Sequence, residues 1–266
     1  RYYDHGQFWH RLRVAGTTGF AALGVVVTFR YHGAADYVAA AAGAWLLFAR
    51  TLFDWRERQA FACAAKAQEQ CDCQLFSIPW NQGLAGYRLS AEDIASVARG
   101  YDRSKVRDWY PADADRADWP RNAILCQRSS AAWGRRTHKA YAGVVGAGAG
   151  LWLLATVIIG AAAHASLAEY LIRLFLPSQP ALMDSVDLIR THSSIAARRL
   201  RVEQRAEDLA TNENATEADC RGLQDQMFEI RHKPPRVPNW FYRLRRKRDE
   251  QAMNDAARVL AARLPT

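Results

Sequence analysis

Apolar and charged residues are sharply segregated along this chain. Two blocks, residues 14–53 and 140–182, are rich in apolar side chains, and most charged residues lie outside them. Residues 140–163 form a run of 24 without a charge. As a helix rising ~1.5 Å per residue, this run is long enough to cross ~30 Å of hydrocarbon. Gly143, Gly146, Gly148 and Gly150 lie in this run and allow close helix contact in lipid, so the pattern predicts a transmembrane helix.

The first apolar block predicts two further spans. Residues 14–29 carry no charge, a short turn contains Gly33, and residues 37–53 carry only Arg50. Both runs are slightly shorter than the ~20 residues that cross a bilayer. They become long enough if Arg13, Arg30 and Arg50 extend their guanidinium groups to the interface. The alternative is a buried helical hairpin of a soluble protein.

A fourth run, residues 167–182, is interrupted by Glu169, Arg173, Pro177 and Pro180. The two charged residues stand four apart, so on a helix they share a face and can pair. The prolines favour a kink or a broken helix end. Two interpretations stay open: a polar pathway along this helix, or a helix that starts at the outer interface with both charges near the headgroups.

The distribution of Lys and Arg predicts the orientation of the spans. Arg30 is the only Lys or Arg in the loops 30–36 and 164–168, whereas the opposite ends of the spans are rich in Arg. We therefore expect an all-α, multi-pass inner-membrane protein with two transmembrane hairpins, a mainly helical cytoplasmic domain and both termini in the cytoplasm. Its predicted parts are an N-terminal juxtamembrane segment that lacks upstream residues (1–12), hairpin 1 (13–53), a cytoplasmic domain (54–139), hairpin 2 (140–183) and a C-terminal cytoplasmic helical region (184–266).

Within the cytoplasmic parts, turn and capping signals predict the helices. Ser90 to Asp93 has the spacing of a capping box, and Pro120 suits the first turn of a helix that runs straight into the third span. The other predicted helices cover residues 54–70, 184–209 and 217–230, and a last helix follows the basic run 243–248 and ends near Arg263.

Charge and composition limit the partners. The formal net charge is +9, which suits an anionic partner such as a lipid headgroup, a nucleotide or a nucleic acid. The basic run 243–248 fits anionic lipid, nucleic acid or a solvated, ion-paired helix face. Of the five cysteines, Cys71, Cys73 and Cys126 with His138 allow a metal site, but they lack the paired spacing of a zinc module. Buried structural thiols are the alternative, and we predict no metal.

No catalytic pattern is present: the sequence has no Gly-rich phosphate loop, nucleophile elbow or His-Glu-x-x-His motif. We therefore predict a protein that is not an enzyme and has no cofactor. The cytoplasmic parts do combine planar aromatic residues with arginines, which a nucleotide requires for its bases and phosphates. Packing of these aromatics in a small domain's core is the other interpretation.

Several motifs occur together in order: Ala65-Lys-Ala-Gln-Glu69 with Asp72, Ile78-Pro-Trp-Asn81, Arg107-Asp-Trp-Tyr-Pro111, Cys126-Gln-Arg-Ser129, and Pro235-Arg-Val-Pro-Asn-Trp-Phe-Tyr242 with Arg245 and Glu250. With the order hairpin, cytoplasmic segment, hairpin and tail, the chain resembles the SMODS-associated four-transmembrane family of pore-forming effectors. The resemblance covers nearly the whole chain. Cys71 and Ser130 depart from the family pattern, which has Phe and Asn there.

The resemblance implies a membrane effector of a CBASS antiphage system. A cyclic di- or trinucleotide would bind the cytoplasmic part, and the protein would then assemble or open, permeabilise the inner membrane and cause abortive infection. No nucleic acid polymer is expected as a partner. The resemblance also favours the aromatic and arginine residues as a ligand site, with Glu169 and Arg173 lining the pore. The candidate ligand residues are Trp80, Asn81, Arg107, Trp109, Tyr110, Arg121, Arg128, Trp240, Tyr242 and Arg243. The alternative is a membrane-anchored scaffold or sensor that binds a protein partner and forms no pore.

Overall fold

The computed structural model describes residues 2–99, 110, 117–232 and 237–261, and this part of the chain is helical without a strand. The prediction of an all-α protein is confirmed. The helices are α1 (Tyr2–Arg30), α2 (Ala35–Phe48), α3 (Asp54–Leu75), α4 (Gln82–Ala85), α5 (Ala91–Ala98), α6 (Arg121–Ala162), α7 (Leu167–Tyr170), α8 (Leu176–Ala210), α9 (Glu217–His232) and α10 (Asn239–Ala261). A 3-10 turn, His32–Ala34, lies between α1 and α2.

The chain divides into two compact units. The first, called here the core unit, comprises Arg1–Tyr3, Ala60–Lys139 and Ser193–Thr266. The second, called the apolar unit, comprises Asp4–Gln59 and Ala140–His192. One division falls between Lys139 and Ala140, where the charge-free run of α6 begins.

The core unit is built around one apolar cluster to which several helices contribute. On α9, Cys220, Leu223, Met227 and Ile230 recur at intervals of three and four residues and are all buried. This spacing places them on one helix face. They pack against side chains from α6 and α8, among them Ile124, Ala131, Val202 and Ala206.

The apolar unit exposes large apolar side chains along α6. Leu151, Leu154, Val157 and Ile158 are each between 52% and 67% exposed. In the described part of the chain, α6 is the one helix long and apolar enough to cross a membrane, and only 11% of its most apolar stretch is buried. The helix expected at residues 140–163 is therefore present. The other three spans stay predictions, although helices cover them.

Two short π-helical stretches interrupt the long helices of the apolar unit. Ala49–Phe53 joins α2 to α3, and Leu171–Phe175 joins α7 to α8. The second stretch lies just before Pro177, which cannot donate the hydrogen bond that an α-helix needs at that position. The sequence predicts a kink or a broken helix end at the prolines; the α-helix is interrupted just before Pro177, whereas Pro180 lies inside α8.

Of three further helix predictions, the cap of α5 and the course of α6 are confirmed, and the start of the last helix is wrong. The Ser90 side chain accepts a hydrogen bond from the Asp93 backbone N–H at 3.0 Å and caps α5, as the sequence predicts. Helix α6 begins at Arg121 and continues through the apolar run to Ala162, which is also as predicted. The predicted start of the last helix is wrong: α10 begins at Asn239 and includes the basic run. There the helical spacing of Phe241, Asp249 and Met253 buries one face, and this burial extends the helix.

Candidate functional site

The core unit contains a buried network of charged and amide side chains between α3 and α9. Glu69 and Asp72 are 1% and 5% exposed. The Arg221 guanidinium donates to Glu69 at 2.5 Å, and Arg231 donates to Asp72. Gln224 bridges the two acids, donating to Glu69 Oε2 at 2.8 Å and to Asp72 Oδ2 at 3.0 Å. Because buried charges are tolerated only when they are paired, this network fixes the register of α3 against α9.

Two cysteines lie beside this network. Cys220 donates to Gln127 Oε1 at 3.5 Å, and Cys73 donates to Glu69 Oε1 at 3.5 Å. Burial raises the pKa of each of these two thiols to about 11. Both are therefore protonated at neutral pH, which suits a structural role. Among the residues that the structure describes, no group of three or more His, Cys, Asp or Glu side chains is arranged to hold a metal ion.

The predicted ligand residues Trp80 and Asn81 shape a tight turn before α4. The Trp80 indole donates to the Gly86 carbonyl at 2.9 Å, and the Arg88 guanidinium lies 5.4 Å from the Trp80 ring centroid. Gly86 has a φ of +69°, a conformation that favours glycine. Asn81 caps α4 and donates to Asp225 Oδ2 at 3.0 Å. The turn places a partly buried indole next to an arginine.

Tyr110 and Arg121 lie near the start of α6. The Tyr110 ring packs 5.7 Å from the Phe76 ring, and its hydroxyl accepts a hydrogen bond from Ser130 at 3.5 Å. Burial raises the pKa of Tyr110 above its usual range, so the phenol stays protonated. In the described part of the chain, Arg121 Nη1 is buried without a hydrogen-bond partner. The predicted ligand residues Arg107 and Trp109 lie outside the described residues.

Arg128, another predicted ligand residue, is paired with carboxylates of α8. Its Nε donates to Glu207 at 2.8 Å, and its Nη2 lies 3.3 Å from Glu203. Arg135 donates to the other oxygen of Glu203 at 2.5 Å. Arg128 is 8% exposed, so its contacts hold α6 against α8.

Of the three predicted ligand residues on α10, Tyr242 lies on a different face of the helix from Trp240 and Arg243. Tyr242 stacks on Trp133 of α6 with ring centroids 5.5 Å apart and an interplanar angle of 9°. Trp240 is 56% exposed, and Arg243 is also exposed. The contacts of the described residues therefore distribute the predicted set over four neighbourhoods: the turn at Trp80, the start of α6 at Tyr110 and Arg121, the α6–α8 contact at Arg128, and α10.

In the apolar unit, Glu169 and Arg173 form the expected pair, with 3.5 Å between Oε1 and Nη1. Glu169 also accepts hydrogen bonds from the backbone N–H and the hydroxyl of Ser166, each at 3.0 Å. These bonds complete a capping box at the start of α7. Both charged side chains are more than two-fifths exposed, and both interpretations of this helix stay open.

Sequence reasoning missed a second ion-pair network, in the apolar unit. Arg50 donates to Asp184 at 2.5 Å, and Arg13 lies 3.7 Å from the same carboxylate oxygen. Arg13 is also 3.6 Å from Glu57, which is 3.1 Å from His10 Nδ1. The sequence predicts that Arg13 and Arg50 extend to the membrane interface, but it does not predict their pairing with carboxylates. The acidic partners are distant from these arginines in the sequence. The one signal that could have indicated the pairing is that each of these charged residues borders an apolar run.

The described part of the chain is all-helical and contains one helix suited to a membrane. The chain matches the SMODS-associating 4TM effector domain over residues 1–260, and it belongs to that family, as its motifs suggested. It is 28% identical over 198 residues to a Bacillus cereus (strain VD146) protein named as a probable CBASS effector molecule. That match covers 71% of this chain and 66% of the relative, so the chain spans slightly less than two thirds of its curated relative. No solved structure matches.

Proposed function

We propose that this protein is a membrane effector of antiphage defence, activated by a cyclic di- or trinucleotide on its cytoplasmic part. Binding then drives assembly or opening, and the inner membrane becomes permeable. Membership of the effector family supports the role in defence. One observation carries the membrane part of the proposal: the most apolar stretch of α6 is only 11% buried. Such a surface is costly in water and favourable in lipid.

The ligand requires bases to be stacked and phosphates to be paired. Of the predicted residues, Trp80 and Arg121 suit this role best. The Trp80 ring is partly buried beside Arg88, and Arg121 has a buried N–H without a hydrogen-bond partner in the described part of the chain. Arg128 is already paired with Glu203 and Glu207, so we assign it a structural role rather than a role in ligand binding.

The energetics are compatible with a switch. A ligand shifts an equilibrium only through a difference in its affinity for the two states. Charged hydrogen bonds contribute ~1.5–3 kcal/mol each before costs. Two or three phosphate contacts made only in the active state would therefore supply ~3–5 kcal/mol, and shift the population by a factor of about 10²–10⁴.

Isothermal titration of the detergent-solubilised protein against a panel of cyclic di- and trinucleotides tests the binding step. We expect one member to bind, and Arg121→Gln to weaken that binding at least tenfold, since a charged hydrogen bond to phosphate is lost. Arg205→Gln is the matched control, because Arg205 is exposed on α8; it should bind as the parent does. Absence of binding across the panel by folded protein would favour the scaffold.

A further inference from the structure

Helix α10 carries a basic and apolar face in its first half. Trp240, Arg243, Leu244, Lys247 and Arg248 are spaced by three, four, seven and eight residues from the first, which places them on one side of a helix. Trp240 is 56% exposed and Leu244 is 75% exposed; the three cations are exposed as well. We call these five residues the α10 face.

The cations of the α10 face are available for a partner. Within the described residues, no acidic side chain lies at ion-pair distance from Arg243, Lys247 or Arg248. The neighbouring arginines differ: Arg245 pairs with Asp249, and Arg246 donates to Glu250 at 2.6 Å. The other side of α10 is buried, with Asp249 0% and Phe241 5% exposed. The helix is thus anchored on one side, and on the other it presents two large apolar groups and three cations that have no acidic partner among the described residues.

Helix α10 contacts α6 shortly before the predicted membrane boundary in the sequence. Its Tyr242 stacks on Trp133, and its Asp249 pairs with Arg136 at 3.1 Å. Arg136 and Trp133 stand four and seven residues before Ala140, where the charge-free run of α6 begins. At 1.5 Å per residue these contacts lie about 6–11 Å along α6 from that run. This distance is comparable to the Debye length at physiological salt, ~8 Å, so anionic headgroups would act on α10.

We propose that the α10 face binds the anionic lipid headgroups of the inner leaflet. Lys and Arg meet the phosphates, while Trp240 and Leu244 enter the boundary between headgroups and acyl chains, as in interfacial amphipathic helices. A soluble nucleotide suits this surface less well, because small ligands are bound in concave sites that enclose most of their surface. The inference rests on the membrane placement of α6 and is independent of ligand activation.

The test is amide hydrogen exchange of the full chain in nanodiscs, read in peptides covering residues 239–248. One set of nanodiscs contains only phosphatidylcholine, and the other also contains phosphatidylglycerol. We expect the anionic lipid to slow exchange by about fivefold for each cation that meets headgroups, since each contributes ~1 kcal/mol. Stable incorporation into either nanodisc checks the membrane placement separately.

Two double variants test whether the α10 face is the surface that binds the lipid. Arg243→Gln with Lys247→Gln should abolish most of the lipid dependence, whereas Arg201→Gln with Arg205→Gln removes the same charge from exposed α8 positions and should leave it intact. Equal exchange in both nanodiscs would overturn the proposal, as would equal loss in the control pair. Slowing of exchange by a cyclic nucleotide in phosphatidylcholine alone, abolished by Arg243→Gln with Lys247→Gln, would assign the face to the nucleotide instead.

Discussion

At the scale of single residues, the family motifs of the core unit are explained by burial and pairing. Asp72 is 5% exposed and Arg231 is 4% exposed, and they bind each other. Glu69 and Gln224 complete the same network. These residues act on one another and hold α3 against α9, so their presence in motifs does not require contact with a ligand.

Asp72→Asn should destabilise the folded protein by about 3–5 kcal/mol, because it leaves the Arg231 charge buried without its carboxylate. Thermal unfolding in detergent measures this effect as a lowered Tm. Asp208→Asn is the matched control, since Asp208 is exposed on α8, and it should change stability by less than about 0.5 kcal/mol. Equal Tm values for the two variants would show that the buried pair is not a stabilising contact.

The buried thiols predict a pattern of alkylation. Burial raises the pKa of Cys73 and of Cys220 to about 11, so at pH 8 only about one molecule in a thousand carries the thiolate. Cys71 is exposed. Iodoacetamide labelling of folded protein at pH 8, mapped by mass spectrometry, should modify Cys71 well before either buried cysteine, and the difference should vanish in denaturant. Labelling of Cys220 as fast as Cys71 in folded protein would contradict this.

At the scale of helices, the sequence predicted those elements whose signal is local. The charge-free run of α6 and the cap at Ser90 are examples, because periodicity and capping depend on neighbouring residues. Contacts between distant segments were not predictable. Arg128 looks like a phosphate ligand in the sequence, but it meets Glu203, which is 75 positions away. The start of α10 was missed because burial of Phe241 and Asp249, rather than local propensity, extends that helix.

The close contact between α1 and α2 allows a test of how these two helices pack in the apolar unit. A Cβ added at Gly16 would collide with the Trp45 ring, whereas one added at Gly19 would meet nothing within 4 Å. Gly16→Ala should therefore cost about 1–3 kcal/mol through overpacking, seen as a lowered Tm. Gly19→Ala, on the same helix, should be neutral or stabilise by up to ~1 kcal/mol, because Ala favours helix. A tolerated Gly16→Ala would mean that the two helices are packed differently.

At the scale of the whole molecule, the two units suggest two separate functions. We propose that the core unit receives the signal and that the apolar unit acts on the membrane, with Glu169 and Arg173 lining the path. Two hairpins cannot enclose a wide aqueous path, so permeabilisation would require several protomers or a large rearrangement. A homo-oligomer is therefore part of the proposal.

Dye leakage from liposomes containing the purified protein tests ligand-triggered permeabilisation most directly. Each member of the nucleotide panel is added in turn, and Arg173→Leu is compared with the parent. The proposal predicts leakage only with the member that binds, and an altered leakage rate at unchanged ligand affinity in Arg173→Leu. Leakage that is absent with every member, or equally fast without any nucleotide, would contradict it.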